Sequence, residues 1–466
     1  MDYGSPMMRR LNKNGGSGFK FPKKGRIRIA FVAILIIVGL KKGTSYFEVR
    51  EQERFDEFSV PEKQKSEKKD TLNIEQIRKI IQNSSLSLEL GVDTLENNGN
   101  NFLFHYSIDT SLQKLGMKLM KRYSPLYGAA VVIQPVSGRV LAMVSFTADS
   151  VKDMGSDLYL KSLFPAASIY KTITAAAAIE EAKLSSKSLL KQVGRNHTLY
   201  MFQLEEKLEN YRELSLEEAY ARSINPVFAR LGIYKLKHGD LVEYGRRFGF
   251  DQKIPFELPV EISDVKSPDS MFAVAELASG FNRQTTLSPL LGALIASAVS
   301  EDGKMPMPIL VDSVMREDTC FYKAEGKTWK NPVKKSTSHE LRELMCSVSR
   351  YGTARKSFRY IRKTSSFKSF QYGGKTGSVN KDNLGKIDWF IGFARNPSNP
   401  DERVAAGVVT IHGEYWTVHS SYIAAELFRN YLRTLQKERQ RIEKEKNTTV
   451  SIDSITKQVN VTKDYD

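Results

Sequence analysis

Apolar residues in this chain keep two different rhythms. Ala129–Gln134 and Arg139–Phe146 flank the turn Pro135-Val-Ser-Gly138, and Asp388–Ala394 and Arg403–Ile411 flank Asn396-Pro-Ser-Asn-Pro400. Such β-rich runs, bounded by Gly, Pro, Ser and Asn, predict a hairpin at each place. Elsewhere the apolar spacing is three and four residues. Leu112, Leu115 and Leu119 line one face of a helix over Thr110–Arg122. Tyr422, Ile423, Leu427 and Tyr431 do the same over His419–Arg433, a helix placed to cover a sheet. Thr172–Leu184 is alanine-rich, sets Ile173, Ala176, Ala177 and Ile179 at helical spacing and holds no Gly or Pro. It predicts a buried helix. Antiparallel strands drawn from both ends of a domain, with a long helical section between, imply an α+β fold: an antiparallel sheet flanked by helices, with an inserted all-helical subdomain.

Ahead of that domain the pattern changes. Ile29–Leu40 is an unbroken apolar run that stops at Lys41-Lys42. A spanning helix needs about 20 apolar residues, but Arg28, Lys41 and Lys42 can snorkel and lengthen the effective span. No good small-residue cleavage site follows, Gly43-Thr-Ser45 being the nearest. The expectation is therefore one uncleaved transmembrane signal anchor over 29–42 rather than a cleaved signal peptide. The first 42 residues carry ten Lys/Arg against a single acid, Asp2, which puts 1–28 in the cytoplasm as a basic segment and the bulk of the chain outside it. Residues 48–71 are charged in both signs and read as a solvated stalk. Ile74, Ile77 and Ile81 mark a short amphipathic helix, and Asn97–Asn101 a turn. The expected order is thus stalk and linker over 43–100, a globular domain over 101–436 and a charged tail over 437–466.

Of 466 residues 41% are hydrophobic and 26% charged, which is ordinary; the net charge of +17 is not. It suits an anionic partner such as a phospholipid surface or an acidic polymer. No zinc spacing or RNA-binding signature favours nucleic acid. Cys320 and Cys346 make neither a disulfide framework nor a metal site, and are expected as buried free thiols. Neither a cofactor nor a metal is expected.

Chemistry is concentrated in three short stretches. In Phe164-Pro-Ala-Ala-Ser168-Ile-Tyr-Lys171, the proline and small residues end one segment and place Ser168 in the first turn of the alanine-rich helix. Lys171, three residues on, shares its face. A helix N-terminus adds free N–H groups and partial positive charge, so nucleophile, amine and oxyanion donors come together as in acyl transfer. Ser-x-x-Lys alone is weak evidence, since it recurs at Ser111–Lys114, Ser365–Lys368 and other polar places. The second stretch is Ser223-Ile-Asn225. Ser215 and Glu218 make a capping box for a helix through Arg222, and Pro226 starts another. The break between them can present a hydroxyl and an amide into a cleft, or leave Asn225 a plain N-cap. The third is Gly373-Gly-Lys375-Thr376-Gly377-Ser378, where glycines would let a strand edge approach a ligand, and the cation and hydroxyls suit a carboxylate. Its bland alternative is a glycine-rich strand end with a surface lysine.

Taken in order, Ser-x-x-Lys, Ser-x-Asn and Lys-Thr-Gly-Ser resemble the transpeptidase domain of penicillin-binding proteins. The resemblance runs over roughly residues 105–430. It includes Ser107-Ile-Asp-Thr-Ser-Leu-Gln113, the Ala129–Val144 hairpin, Thr286-Leu-Ser-Pro-Leu, Gly352-Thr-Ala354 and Asp388-Trp-Phe-Ile-Gly-Phe. It implies a fold like that of penicillin-binding proteins and β-lactamases, and a serine D,D-transpeptidase that cross-links peptidoglycan stem peptides. Ser168 would attack the penultimate D-alanine carbonyl and Lys171 would take its proton. For that the amine must fall about three pH units from about 10.4, worth about 4 kcal/mol, through burial and the charge of Lys375. Ser223 would pass a proton to the departing D-alanine, Asn225 would orient the substrate amide, and Thr376 and Ser378 would hold the terminal carboxylate. The backbone N–H groups of Ser168 and Ser378 would form the oxyanion hole, and Gly377 would belong to the substrate-binding strand edge. β-Lactam antibiotics should acylate Ser168.

Family members often carry Gly-Gln-Gly where this chain has Gly280-Phe-Asn282. The stretch before residue 105 reads as too short for a glycosyltransferase domain or a large pedestal. That makes the expected protein a monofunctional enzyme of the bacterial cytoplasmic membrane, working with a separate glycan polymerase. The alternatives of the same fold are a D,D-carboxypeptidase, which uses the same residues, and a β-lactamase, whose Glu-x-x-Leu-Asn element does not follow Ser223. A non-catalytic β-lactam sensor or scaffold would be expected to lose some of the motif's polar positions, and all are present.

Overall fold

The computed structural model describes residues 71–84, 86–381 and 384–461, with only the backbone over 446–461. The basic segment over 1–28, the apolar run over 29–42 and the stalk as far as residue 70 lie outside the described residues. Among the described residues no helix is long and apolar enough to cross a membrane.

The chain enters through helix α1 (Ile74–Gln82), whose capping box pairs Asn73 with Gln76 and whose Ile77, Ile80 and Ile81 are buried. Strands β1 (Val92–Asn97) and β2 (Asn100–Tyr106) follow. Their turn is Asn98-Gly99, both at positive φ (52° and 74°), as a tight two-residue hairpin requires. So residues 74–97, assigned from sequence to the linker, carry a helix and a strand of this body. Helix α2 (Thr110–Tyr123), capped by Asp109, leads into the hairpin β3 (Tyr127–Ile133) and β4 (Val140–Thr147).

The section between the two hairpins, expected to be all-helical, holds α3 (Lys171–Glu181), α4 (Leu216–Ala221), α5 (Asn225–Tyr234), α6 (Met271–Ser279) and α7 (Pro289–Ser300) among others, but also two short strand pairs, Phe164–Pro165 with Thr286–Leu287 and Leu189–Gln192 with Arg212–Ser215. Strands β5 (Val311–Arg316) and β6 (Thr319–Lys323) then return to the entry hairpin in a four-stranded sheet ordered β1-β2-β5-β6. Cys320 sits on the edge strand β6 and is exposed, against the expectation of a buried thiol; Cys346 is buried as expected. Helices α8 (Lys335–Arg350) and α9 (Arg355–Lys363) precede β7 (Gln371–Lys381), β8 (Gly385–Asn396), β9 (Asn399–His412) and α10 (Ser420–Val461). The second hairpin therefore turns more tightly, and its strands run longer, than the sequence pattern suggests.

The central sheet is ordered β7-β8-β9-β3-β4, antiparallel throughout. Its first and last strands come from distant parts of the chain, as the two-ended pattern predicts. The wholly buried α7 packs on one face, and α2 and the start of α10 on the other. Gly407 is what lets α7 lie down: a Cβ there would be 2.2 Å from the Pro289 carbonyl oxygen. A mixed α/β body built on an antiparallel sheet results, with β7 at the edge that faces the helical section.

Candidate active site

Ser168 lies in a single 3-10 turn, Ala167–Tyr170, which runs on into α3. The turn starts with Ala167 at φ 49°, a left-handed conformation that costs an alanine about 1–2 kcal/mol. Two glycines hold it there. A Cβ on Gly280 would fall 2.0 Å from the Ala167 carbonyl oxygen, and one on Gly377 would lie 3.3 Å from the Ser168 nitrogen. Gly280 itself sits at φ +62° as the C-cap of α6. The Gly280-Phe281-Asn282 departure thus keeps the glycine the packing needs, and Asn282 closes its loop by accepting a hydrogen bond from the Thr285 N–H.

Lys171 is wholly buried at the head of α3, with its Nζ 2.8 Å from Ser168 Oγ and 2.7 Å from Asn225 Oδ1. A third contact goes to the Ser279 carbonyl oxygen. Burial, and then the charge of Lys375, hold this amine well below its ordinary value. In the neutral state two N–H groups satisfy Asn225 and Ser279, and the lone pair accepts the Ser168 hydroxyl proton. Phe228 closes the pocket, its ring centre 5.8 Å from Nζ. Asn225 is the first residue of α5 and donates its backbone N–H to Asn196 O at 2.7 Å. Its side chain goes to Lys171, so it is not a plain N-cap.

Ser223 falls in the break between α4 and α5, at φ 55°. Its Oγ accepts a hydrogen bond of 2.9 Å from Lys375 Nζ, which also donates to Thr376 O at 2.7 Å. Lys375 is not a surface lysine: it is fully buried beneath β7, and burial lowers it to about 7. Ser168, Ser223, Asn225, Thr376 and Ser378 all open onto one cleft of about 530 Å³, with Lys171 and Lys375 beneath it. Gly377 contributes backbone where β7 passes the Ser168 turn. All eight residues singled out from sequence thus come together.

The same cleft holds residues that sequence reasoning passed over. Thr353, in the Gly-Thr-Ala stretch, shares a 2.6 Å hydrogen bond with Thr376. Asp388, opposite Ser378 in the sheet register, is buried and accepts from the Ser420 N–H at 2.8 Å. His419 Nδ1 lies 3.3 Å from the same Asp388 oxygen, Oδ2, and this carboxylate raises the imidazole above its ordinary value. His197, Phe281, Arg283 and Ser421 are among the other wall residues. Asp388 stood only within the stretch Asp388–Phe393 that carries the resemblance, with no role assigned, and His419 carried no signal beyond its place at a helix start.

Residues 128–433 match the model of the penicillin-binding protein transpeptidase domain. The chain belongs to that family. It is 26% identical over 309 residues to stage V sporulation protein D of Bacillus subtilis, covering 59% of this chain and 44% of the relative. It is also 26% identical over 275 residues to the peptidoglycan D,D-transpeptidase PbpA of Mycobacterium tuberculosis, covering 51% and 54%. The chain spans about half the length of these curated relatives. In fold it is similar to the D,D-transpeptidase domain of a peptidoglycan glycosyltransferase from Eggerthella lenta, with a TM-score of 0.60 at 24% identity, covering 74% of this chain and 85% of that one. Penicillin-binding protein A of M. tuberculosis, solved as a penicillin G acyl-enzyme complex, gives 0.55 at 22%, covering 70% and 79%.

Proposed function

We propose that the protein is a serine D,D-transpeptidase that cross-links peptidoglycan stem peptides and is acylated by β-lactams. The observation that carries this reading is a wholly buried amine, Lys171, bonded at once to Ser168 Oγ and Asn225 Oδ1. In such a site a neutral lysine is the natural base for a serine nucleophile. Ser168 Oγ attacks the carbonyl carbon of the penultimate D-alanine as its proton passes to Lys171 Nζ. The negative oxygen that forms is met by the N–H groups of Ser168 and Ser378, each worth on the order of 10²–10³ in rate. When the C–N bond breaks, Ser223 Oγ gives its proton to the departing D-alanine nitrogen and is resupplied through Lys375. Thr376 and Ser378 hold the terminal carboxylate, and Asn225 orients the stem-peptide amide. An amine from a neighbouring stem then attacks the ester on Ser168, giving the cross-link and returning the serine.

The apolar run over 29–42 anchors the enzyme in the cytoplasmic membrane with its catalytic body outside the cytoplasm. Glycan strands come from a separate polymerase. Mass spectrometry of stem peptides incubated with the protein tests the reading. Cross-linked dimers are expected; trimmed monomers alone would make it a carboxypeptidase. Fluorescent penicillin should label the wild type stably and Ser111→Ala equally, while Ser168→Ala takes no label. Rapid release of the label would make it a β-lactamase.

A further inference from the structure

Directly after Thr353 and Ala354 the chain carries the most one-sided charge of its folded body. Residues 355–370 include Arg355, Lys356, Arg359, Arg362, Lys363 and Lys368, and not one acid. Arg362 is folded back onto the Phe358 and Arg350 carbonyls. The other five are exposed, and none pairs with a carboxylate among the described residues. The arrangement works against the helix that bears it. Arg355, Arg359 and Lys363 repeat at i, i+4 and i+8, where like charges repel. Arg355 and Lys356 also occupy the first turn of α9, the positive end of the helix dipole, with no acid there to offset them. Nothing inside the described body rewards that arrangement; an external polyanion would.

The position of α9 says which one. Its N-terminus abuts Thr353, which is bonded to Thr376 in the cleft, and Ser357 Oγ bonds Ser421 Oγ at 2.8 Å on the cleft wall. From there the stripe of bases leads about 12 Å along the helix, at 1.5 Å per residue. Phe358 and Ile361 of the helix are buried in the core, and its one exposed aromatic, Tyr360, lies beside Arg429, so the helix has no apolar face to enter a lipid bilayer. We propose that α9 is an exosite for polymeric substrate. It binds the carboxylates of further stem peptides on a glycan strand while one stem occupies the cleft. The proposal rests on the transpeptidase reading of that cleft.

The test uses the full chain and the triple variant Arg355→Gln/Arg359→Gln/Lys363→Gln, none of whose positions lines the cleft. Two quantities are read: the acylation rate with fluorescent penicillin, and co-sedimentation with purified peptidoglycan sacculi. Removing three bases from an anionic contact, at about fivefold each, should weaken sedimentation roughly a hundredfold. Binding of the wild type should fall as salt shortens the Debye length from about 30 Å to about 8 Å. Acylation should stay at the wild-type rate, which also certifies the variant as folded. The Lys variant Arg355→Lys/Arg359→Lys should sediment like the wild type. Unchanged sedimentation of the triple variant would overturn the proposal. So would equal binding to sacculi stripped of their stem peptides, or a loss confined to anionic phospholipid vesicles. Failure of the wild type to take penicillin would instead sink the transpeptidase reading, while the sedimentation comparison would still be readable.

Discussion

Replacing Lys171 with Met separates the base from the scaffold. Methionine roughly fills the space of the lysine stem but offers no lone pair to the Ser168 proton. A positioned general base is worth about 10²–10⁴ in rate, or about 3–5 kcal/mol of barrier. Acylation by penicillin should therefore fall about a thousandfold. Stability should change much less. Asn225 Oδ1 and the Ser279 carbonyl lose their donor, at about 1–3 kcal/mol each. Against this, a buried amine that must be held neutral is removed. The net expectation is a loss of a few kcal/mol, seen as a few degrees in Tm. Lys171→Arg is the companion: it keeps the N–H donors but brings a permanent charge, and a guanidinium cannot take a proton. Stopped-flow acylation and thermal melts, run on the same samples, decide the matter. If either variant acylates within tenfold of the wild type, Lys171 is not the base. If the rate loss only follows a collapse of Tm, the residue is structural.

Other outcomes follow from the same geometry. Lys375 binds a proton in the unfolded chain below about 10.5 but in the folded chain only below about 7. Its contribution is thus present above the unfolded value and lost as pH falls toward 7, by about 5 kcal/mol at 1.36 kcal/mol per pH unit. The Tm of the wild type should rise from about pH 7 to about pH 9 more steeply than that of Lys375→Met. Because Asp388 raises His419, that contact stabilises fully below the ordinary value of 6.5 and fades as pH rises through the higher folded one. The Tm difference between the wild type and His419→Gln should be larger at about pH 6 than at about pH 9. Gly280→Ala sets a methyl against the Ala167 carbonyl and should cut acylation by about 10² or more, since the Ser168 turn must move; Gly407→Ala should lower Tm without that selective loss. Maleimide should modify exposed Cys320 in the native protein, whereas Cys346, buried and pushed up to about 12, should react only on unfolding.

Much of this was written locally in the sequence. β-Rich runs around turn residues pointed to the two hairpins, and an alanine-rich helix behind a proline to the seat of Ser168. What lay beyond reach depends on partners far apart in the chain. The face of α1 looks like that of a free amphipathic segment until Leu72 donates to Phe321 O and Arg78 reaches Phe256 O, elements about 180 to 250 residues later. Cys320 was expected inside as a thiol with no disulfide or metal role, but β6 is an edge strand. Asp388 and His419 meet only because β8 and the start of α10 converge, and no periodicity announces a pair 31 residues apart. Gly280 shows the same limit, since its value lies in the space it leaves for Ala167.

The site is also where the fold departs from its own preferences, and Ser223 allows that to be measured. Its φ of 55° belongs to a residue between two helices whose hydroxyl must face Lys375. A side chain in that region costs about 1–2 kcal/mol, while glycine adopts it freely at some loss of entropy on folding. Ser223→Ala and Ser223→Gly both remove the hydroxyl and leave Lys375 Nζ without the same acceptor, so those losses cancel between them. What remains is backbone strain, and Ser223→Gly should be more stable than Ser223→Ala by about 1 kcal/mol, although Gly in place of Ala ordinarily destabilises. Both should be equally slow to acylate. Equal stability, or a more stable alanine variant, would mean the loop relaxes without cost. The hydroxyl would then be placed by Lys375 rather than by the backbone that α4 and α5 impose.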